Sequence, residues 1–574
     1  MRYLALACDF DGTLASEGRV DARTVEAMER LLASGRKLIL VTGRILEDLL
    51  AIFPRTDLFE CIVAENGAVL YRPGTREVRV LGPAPPEKFF QSLKEKGVTL
   101  LSRGRVIVAT VTPHEKAVLE AIRRLGIEYQ VIFNKGSVMV LPSGLNKARG
   151  LEAALEDLGL SPHNVVGVGD AENDESFLRA CGCAVAVAGA LPSLKDTADH
   201  VTAGDDGEGV REVIDGLLSN DLREVDHRII RHQLLLGRRS GGNDFRIPPF
   251  GINLLLAGPS GSGKSTIASG LLERLDEARY QYCLIDPEGD HEALEDAVSL
   301  GNSQRPVTVP EAVKLLSSPN QNAVINLVGM RTEDRPAFFQ ALLPHLQELR
   351  ARTGRPHWIV VDEAHHLMSS GWAPADVSLP REFTGMVFIT LHPRFLATPA
   401  LAAVDLLLAV GNAPAETLRD FCEAQGLSPP SRVPLPSDPR QVLAWDRWAK
   451  SDPFLFEPAP SRGERRRHRR KYAEGDLGPD LSFYFRGPDG KLNLRAQNLF
   501  LFLQIAAGVD DATWMHHLRC GDYSRWFRTA IKDGALAAEA ERIEKLPSVT
   551  PAVSREQIRA AIERDYTLPA TGQG

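Results

Sequence analysis

Short apolar runs recur through the first 215 positions, and each stops at a polar cluster. Tyr3 to Ala7, Lys37 to Val41, Cys61 to Ala64 and Asn164 to Val168 read as buried strands. Val20 to Ala33 has apolar residues at helical spacing (Val20, Val25, Met28, Leu31, Leu32), with Gly35 ending the helix, and Ala148 to Leu158 reads as another helix. Strands separated by helices predict a parallel, Rossmann-like sheet with a cleft at its carboxyl edge. From about 83 to 142 the pattern shifts to alternating strands, Arg105 to Val111 and Val138 to Leu141, around one helix, His114 to Leu125. That predicts a small inserted α+β unit.

The rest of the chain divides in the same way. Residues 216–246 are polar, carry Arg238-Arg239-Ser240-Gly241-Gly242-Asn243, and read as a linker. A second α/β domain is expected over 247–460. Its strands are Ile252 to Ala257, Tyr282 to Ile285, Trp358 to Val361 and Met386 to Thr390, with a helix from Ile267 to Leu275 and Gln441 to Trp445 as closing edge strand. A basic linker over 461–481 holds Arg462, Arg465, Arg466, Arg467, Arg469, Arg470 and Lys471. The last part, 482–574, reads as mainly helical: Asn493 to Ala507, Ala512 to Leu518, Tyr523 to Ile531, Leu536 to Lys545 and Glu556 to Arg564. Trp514, Trp526 and Phe527 are expected in its core, and no catalytic constellation appears there.

Composition narrows the class. With 44% hydrophobic and 25% charged residues, the 574-residue chain is ordinary for a globular protein. A net charge of -8 argues against coating nucleic acid with the whole surface, though it leaves room for a local basic patch. No window has the roughly 18 apolar residues that a membrane span needs. The first residues run directly into a strand, and the seven cysteines form no CxxC pair. A cytoplasmic protein with reduced thiols and no membrane partner is expected.

The strand tips carry the chemistry. Cys8-Asp9-Phe10-Asp11-Gly12-Thr13-Leu14 sets two carboxylates one residue apart, a pairing suited to nucleophilic attack on phosphorus and proton transfer to the leaving oxygen. Thr42-Gly43-Arg44 offers a hydroxyl and a backbone N–H to a phosphate, and Glu65-Asn66-Gly67 ends the third strand. Asn146-Lys147 adds a cation, and Gly169-Asp170-Ala171-Glu172-Asn173-Asp174 adds two more carboxylates. Asp9, Asp11, Asp170 and Asp174 together form a hard-oxygen set suited to Mg²⁺. This order and spacing resembles the haloacid dehalogenase-like phosphatases, in the capped branch that includes the Cof- and sucrose-phosphatase-like enzymes. The resemblance spans nearly all of residues 1–215 and makes the inserted unit a cap. It implies Asp9 as nucleophile, Asp11 as acid/base, and Thr42 and Lys147 as phosphate ligands. Mg²⁺ would be held by Asp9, the Asp11 main-chain oxygen and Asp170, with Asp174 on the metal side. As the acid, Asp11 is expected to titrate above its neighbour. Val187-Ala188-Gly189-Ala190 lacks the asparagine that relatives often carry there.

A second phosphate-binding pattern lies at Gly258-Pro259-Ser260-Gly261-Ser262-Gly263-Lys264-Ser265-Thr266, a complete G-x-x-x-x-G-K-[ST] between strand and helix. Its amides (Gly258, Gly261, Ser262, Gly263, Thr266) would cradle ATP phosphates, Lys264 would offset charge, and Ser265 would reach Mg²⁺. Asp362 would hold the Mg²⁺ water shell and Glu363 would polarise an attacking water, favouring nucleotide hydrolysis over transfer. The tandem His365-His366 is not expected to bind metal, and His392 is a candidate sensor of the γ-phosphate. Asp286-Pro287-Glu288-Gly289-Asp290 with the Asp362-Glu363 strand is similar to the HerA/FtsK-type P-loop ATPases, often ring-forming DNA motors. A ring would use an arginine from a neighbouring subunit, with Arg381 and Arg394 as candidates.

The leading expectation is a Mg²⁺-dependent phosphomonoesterase acting on a small phosphorylated metabolite, a sugar phosphate or phosphoglycolate, fused to a P-loop ATPase. The alternative is a DNA-associated motor whose phosphatase trims nucleotides or nucleic-acid ends. A third reading has ATP occupancy gating the phosphatase.

Overall fold

The computed structural model describes residues 1–566 except 135, 292, 293, 295, 370–383, 439, 448, 462–481, 489, 491 and 532. The basic run at 462–471 and Arg381 therefore lie outside the described residues.

The first sheet has eight strands in the order His200–Val201, Cys183–Ala186, Val165–Gly169, Ala5–Cys8, Lys37–Val41, Cys61–Ala64, Val69–Arg72, Glu77–Val80. The first six are parallel, and the last two join by successive antiparallel pairings. Ala5 stands opposite both Val165 and Lys37, so the central strands are in step. Ala5 to Cys8 and Cys61 to Ala64 are buried along their whole length, as expected for parallel strands covered on both faces. Helices Ala22–Ala33, Lys147–Leu158 and Asp206–Asn220 supply much of the cover.

The inserted unit is a four-stranded antiparallel sheet ordered Ser102–Arg103, Val108–Val111, Ser137–Pro142, Tyr129–Asn134. The single strand expected over 105–111 is shorter, because residues 105–107 turn to give their amides to a core carboxylate. Two helices cover one face, not one: Glu87–Glu95 contributes Phe89 and Leu93 to the small core beside Val118 and Ala121 of Glu115–Leu125.

The second sheet has eleven strands. Seven are parallel, in the order Leu406–Ala409, Leu254–Ala257, Met386–Thr390, Trp358–Val361, Tyr282–Asp286, Asn322–Asn326, Ala297–Leu300. Met386–Thr390 thus lies between the phosphate-loop strand and the strand that leads to Asp362. Val442–Asp446, expected at the edge, is interior: Phe454–Pro458, Leu234–Arg239 and Asp244–Ile247 continue the sheet antiparallel beyond it. The stretch read as a linker over 216–246 is therefore folded. Leu234, Leu236, Phe245 and Ile247 are buried, and Ser240 to Asn243 form the hairpin turn, with Gly242 at φ +86°. The short apolar alternation was masked by the arginines and glycines around that turn.

Residues 265–273 and the described residues after 458 form a compact unit. Within it, Phe483–Phe485 pairs with Leu494–Ala496, taking as strand the start of the helix expected from 493. Helices Leu499–Gly508, Asp511–Arg519, Asp522–Thr529, Gly534–Glu544 and Pro551–Tyr566 follow, and Trp514, Trp526 and Phe527 are buried in their core. Among the described residues no helix is long and apolar enough to cross a membrane.

Candidate active sites

Three parallel strands of the first sheet end side by side. Asp9 follows Ala5–Cys8, Thr42 follows Lys37–Val41 and Asp170 follows Val165–Gly169. The Asp9 amide donates to the Val168 carbonyl at 3.0 Å, extending the pairing to the tip. Lys147 arrives from another direction, as the first residue of a helix whose cap, Asn146, accepts the Arg149 amide at 2.9 Å. Its Nζ lies 2.5 Å from Asp9 Oδ1 and 2.6 Å from Asp174 Oδ1. Asp174 Oδ2 accepts the amides of Asp170 and Ala171, each at 3.0 Å, so Asp174 braces both the lysine and the loop. Thr13 donates to Asp170 Oδ1 at 3.0 Å. One oxygen each from Asp9, Asp170 and Asp174 falls within a 4.8 Å cluster, and all three residues are buried.

Here three carboxylates face one ammonium. Burial, then the neighbouring Asp174, push the Asp9 carboxyl up to about 8 against the pull of Lys147. Burial works against the Lys147 charge as well, but Asp174 and Asp9 together outweigh it and hold the ammonium above its ordinary range. Surplus negative charge on closely spaced, buried oxygen donors fits a hard divalent cation such as Mg²⁺. Asp9 and Asp170 would hold it, with Asp174 as their brace.

Asp11 is placed differently. Its carboxylate lies in a two-pronged ion pair with Arg44, at 2.6 Å from Nε to Oδ2 and 2.6 Å from Nη2 to Oδ1, and takes no part in the acidic cluster. The carboxyl that burial raises is Asp9. Thr42 is buried, and its Oγ1 accepts the Arg44 amide at 3.2 Å. Sequence reasoning had not assigned the Arg44 clamp or the Thr13 bond to Asp170, although both residues belong to the quoted strand-tip motifs.

Residues 6–108 and 106–214 match the family model for haloacid dehalogenase-like hydrolases. The phosphoglycolate phosphatase of Methanothermobacter thermautotrophicus is 35% identical over 220 residues, covering 37% of this chain and 96% of that relative. The chain belongs to the haloacid dehalogenase-like hydrolases. A phosphoglycolate phosphatase of Halorubrum lacusprofundi is 30% identical over 220 residues, 36% of this chain and 95% of its own. A solved haloacid dehalogenase-like hydrolase from Bacteroides thetaiotaomicron, 22% identical, aligns with a TM-score of 0.35 over 38% of this chain and 99% of its own. Residues 253–384 match an AAA domain model, so this hydrolase carries a P-loop ATPase-type domain behind its family core.

In that domain the phosphate loop turns through Gly258, Gly261 (φ +74°) and Gly263 (φ +97°) into the helix Lys264–Glu277, with Ser265 and Thr266 in its first turn. At Gly258 a side chain would meet the Val410 carbonyl oxygen at 2.4 Å. Lys264 folds back onto the carbonyls of Gly258 and Pro259, at 2.9 and 3.1 Å, and burial lowers its pKa. Asp362 accepts or shares a proton with His291 Nε2 at 2.9 Å, a partner the sequence pattern had not pointed to. Burial, then Asp362, push Glu363 up to about 7, and its backbone is left-handed at φ +39°. His365 Nδ1 lies 3.3 Å from Glu363 Oε2 without hydrogen-bond geometry, and burial lowers that histidine to about 4. Among the described residues, Ser262 Oγ and Glu363 Oε2 are both buried without a hydrogen-bond partner, which fits a site that completes its bonding with a nucleotide and its water. His392 lies 3.7 Å from Asp420, and Arg394 is exposed over Phe395.

Proposed function

We propose that the N-terminal domain is a Mg²⁺-dependent phosphomonoesterase acting through an aspartyl-phosphate on a small phosphorylated metabolite, of phosphoglycolate or sugar-phosphate type. The observation that carries this is the buried Lys147 bridging Asp9 and Asp174 beside Asp170. Magnesium supplies charge neutralisation, so that an anionic carboxylate can approach an anionic phosphate. Asp9 attacks phosphorus, and the leaving alkoxide takes a proton from Asp11. Asp11 then accepts a proton from the water that attacks the same phosphorus, releasing phosphate and restoring Asp9. Lys147 and Thr42 hold the phosphoryl oxygens. For Asp11 to serve, Arg44 must let go of its carboxylate when substrate arrives. The names of the archaeal relatives support phosphoglycolate as the first substrate to try.

We assign the second domain ATP binding through Gly258 to Thr266 and hydrolysis through Asp362 and Glu363. Ser265 and Asp362 would hold its Mg²⁺. The Ser262 hydroxyl and the Glu363 oxygen, which have no hydrogen-bond partner among the described residues, support this reading.

A panel of phosphomonoesters tests the first assignment. Magnesium-dependent phosphate release should fall to background in Asp9→Asn and drop by about 10²–10⁴-fold in Asp11→Asn. Release that survives Asp9→Asn would defeat the assignment. The alternative, a DNA motor with an accessory phosphatase, is favoured by the Asp286 to Asp290 fragment; its mark would be ATP turnover stimulated by DNA and weakened by salt.

A further inference from the structure

The turn Glu65-Asn66-Gly67 meets several other segments of the hydrolase domain. Glu65 and Asn66 take left-handed backbone angles, φ +50° and +54°. The Glu65 amide donates to the Arg44 carbonyl at 2.8 Å and the Asn66 amide to the Thr42 carbonyl at 3.0 Å. Asn173 donates to Asn66 Oδ1 at 3.2 Å. Gly67 lies so near the chain before Lys147 that a side chain there would meet the Asn146 carbonyl oxygen at 1.9 Å. One short turn thus touches the Thr42, Lys147 and Asp170 segments.

The Glu65 carboxylate faces the other way. It is fully buried, and among the described residues no cation pairs with it. Its partners are three backbone amides of the cap: Arg105 to Oε1 at 2.9 Å, and Val106 and Ile107 to Oε2 at 2.8 and 3.0 Å. Gly104 completes the socket, since a side chain there would stand 2.6 Å from the carboxylate. A buried carboxylate is tolerated only when such donors replace water, and bonds of this charged kind are about twice as strong as neutral ones. Besides its two chain crossings, the cap meets the core through the exposed Arg105–Glu47 ion pair at 3.0 Å and through Val106 and Ile132, which pack against the core cluster. Glu65 adds a buried, charged attachment to these, and with the cap so held Met139 sits over Gly43 of the Thr42-Gly43-Arg44 tip.

We propose that Glu65 is a positioning residue: an anionic latch that holds the cap closed over the Asp9 cluster by gripping the amides of residues 105–107. This rests on the phosphatase reading. Opening the cap for substrate breaks these three bonds and closing it remakes them, so the latch sets how well the closed state competes for substrate.

Three variants of the full chain test it: Glu65→Ala, Glu65→Gln, and Gly104→Ala, which leaves the carboxylate intact and crowds its socket. Two readouts are taken, hydrogen exchange at the Val106 and Ile107 amides and the steady-state kinetics of phosphate release from phosphoglycolate. In Glu65→Ala and Gly104→Ala exchange should quicken and KM should rise, each about tenfold or more, with kcat changed less than about threefold. Glu65→Gln, which keeps an acceptor for two amides, should fall between them and the parent. Unchanged exchange in both disruptive variants, or a loss confined to kcat, overturns the latch. If the parent chain releases no phosphate from any monoester, the phosphatase reading fails, and exchange alone then decides whether Glu65 holds the cap.

Discussion

At the scale of single residues, the acidic cluster depends on Lys147. It is 1% exposed and lies between two carboxylates, with a third beside them. Breaking a buried pair from one side costs more than the pair itself contributes, because the remaining charge is left in a medium that solvates it poorly. Lys147→Met keeps the length and apolar stem but abandons Asp9 and Asp174. We expect it to lower the stability of the hydrolase domain by about 3–5 kcal/mol in urea unfolding, along with its phosphatase rate. Magnesium should have the opposite effect on the parent chain. Millimolar Mg²⁺ is expected to raise its melting temperature, since a cation bound only by the folded cluster stabilises it by mass action. A melting temperature indifferent to magnesium would mean that Asp9 and Asp170 do not hold the ion.

Elements bring these residues together through close approach. Lys147 is positioned by the helix Lys147–Leu158, and that helix can lie against the strand Cys61–Ala64 only because Gly150 has no side chain. A methyl group there would meet Val63 Cγ1 at 2.4 Å, Gly67 Cα at 2.6 Å and the Gly67 carbonyl oxygen at 2.8 Å. By helix propensity alone, Gly150→Ala should stabilise by about 1 kcal/mol. Overpacking typically costs about 1–3 kcal/mol, and here two of the three clashing atoms are backbone, so the clash should win. Gly150→Ala is therefore expected to destabilise the domain, shift Lys147 away from Asp9 and slow phosphate release. Stabilisation without loss of rate would show that the helix has room to move.

For the whole molecule, the junction between the hydrolase and AAA domains is itself a buried polar structure. His163 stacks on Tyr280 with ring centres 3.8 Å apart and bonds the Ala278 carbonyl at 2.8 Å. Arg355 reaches across to the Gly159 carbonyl at 2.8 Å, and His232 packs edge-on against His163. Two strands lead away from this contact to the candidate sites: Val165–Gly169 to Asp170, and Trp358–Val361 to Asp362. Burial pushes His163 down to about 3 and His232 to about 4, so both are neutral when folded. Unfolded, they take up protons below their ordinary value of 6.5. Their contribution is complete above that value and is lost as the pH falls from 6.5 towards 4 and then 3, at up to about 1.4 kcal/mol per pH unit for each histidine. Thermal melts of the full chain should drop across this window, and His163→Phe should flatten the slope. A slope unchanged by that variant would place the acid sensitivity elsewhere.

Much of this was legible in the chain. Continuous apolar runs ending in Asp9, Thr42 and Asp170 can only be buried parallel strands with polar tips, and periodicity carries that information locally. The phosphate loop is equally local, since its glycines and Lys264 are contiguous. Other features depend on residues far apart in sequence: the grip of Glu65 on the cap amides, the Arg44 clamp on Asp11, the pairing of His291 with Asp362, and the hairpin that extends the second sheet through residues once read as linker. A buried carboxylate looks the same in a sequence whether it binds metal, lysine or backbone. Which of these it finds is decided by whatever the fold packs against it, because an unpaired charge in the interior costs too much to leave unsatisfied.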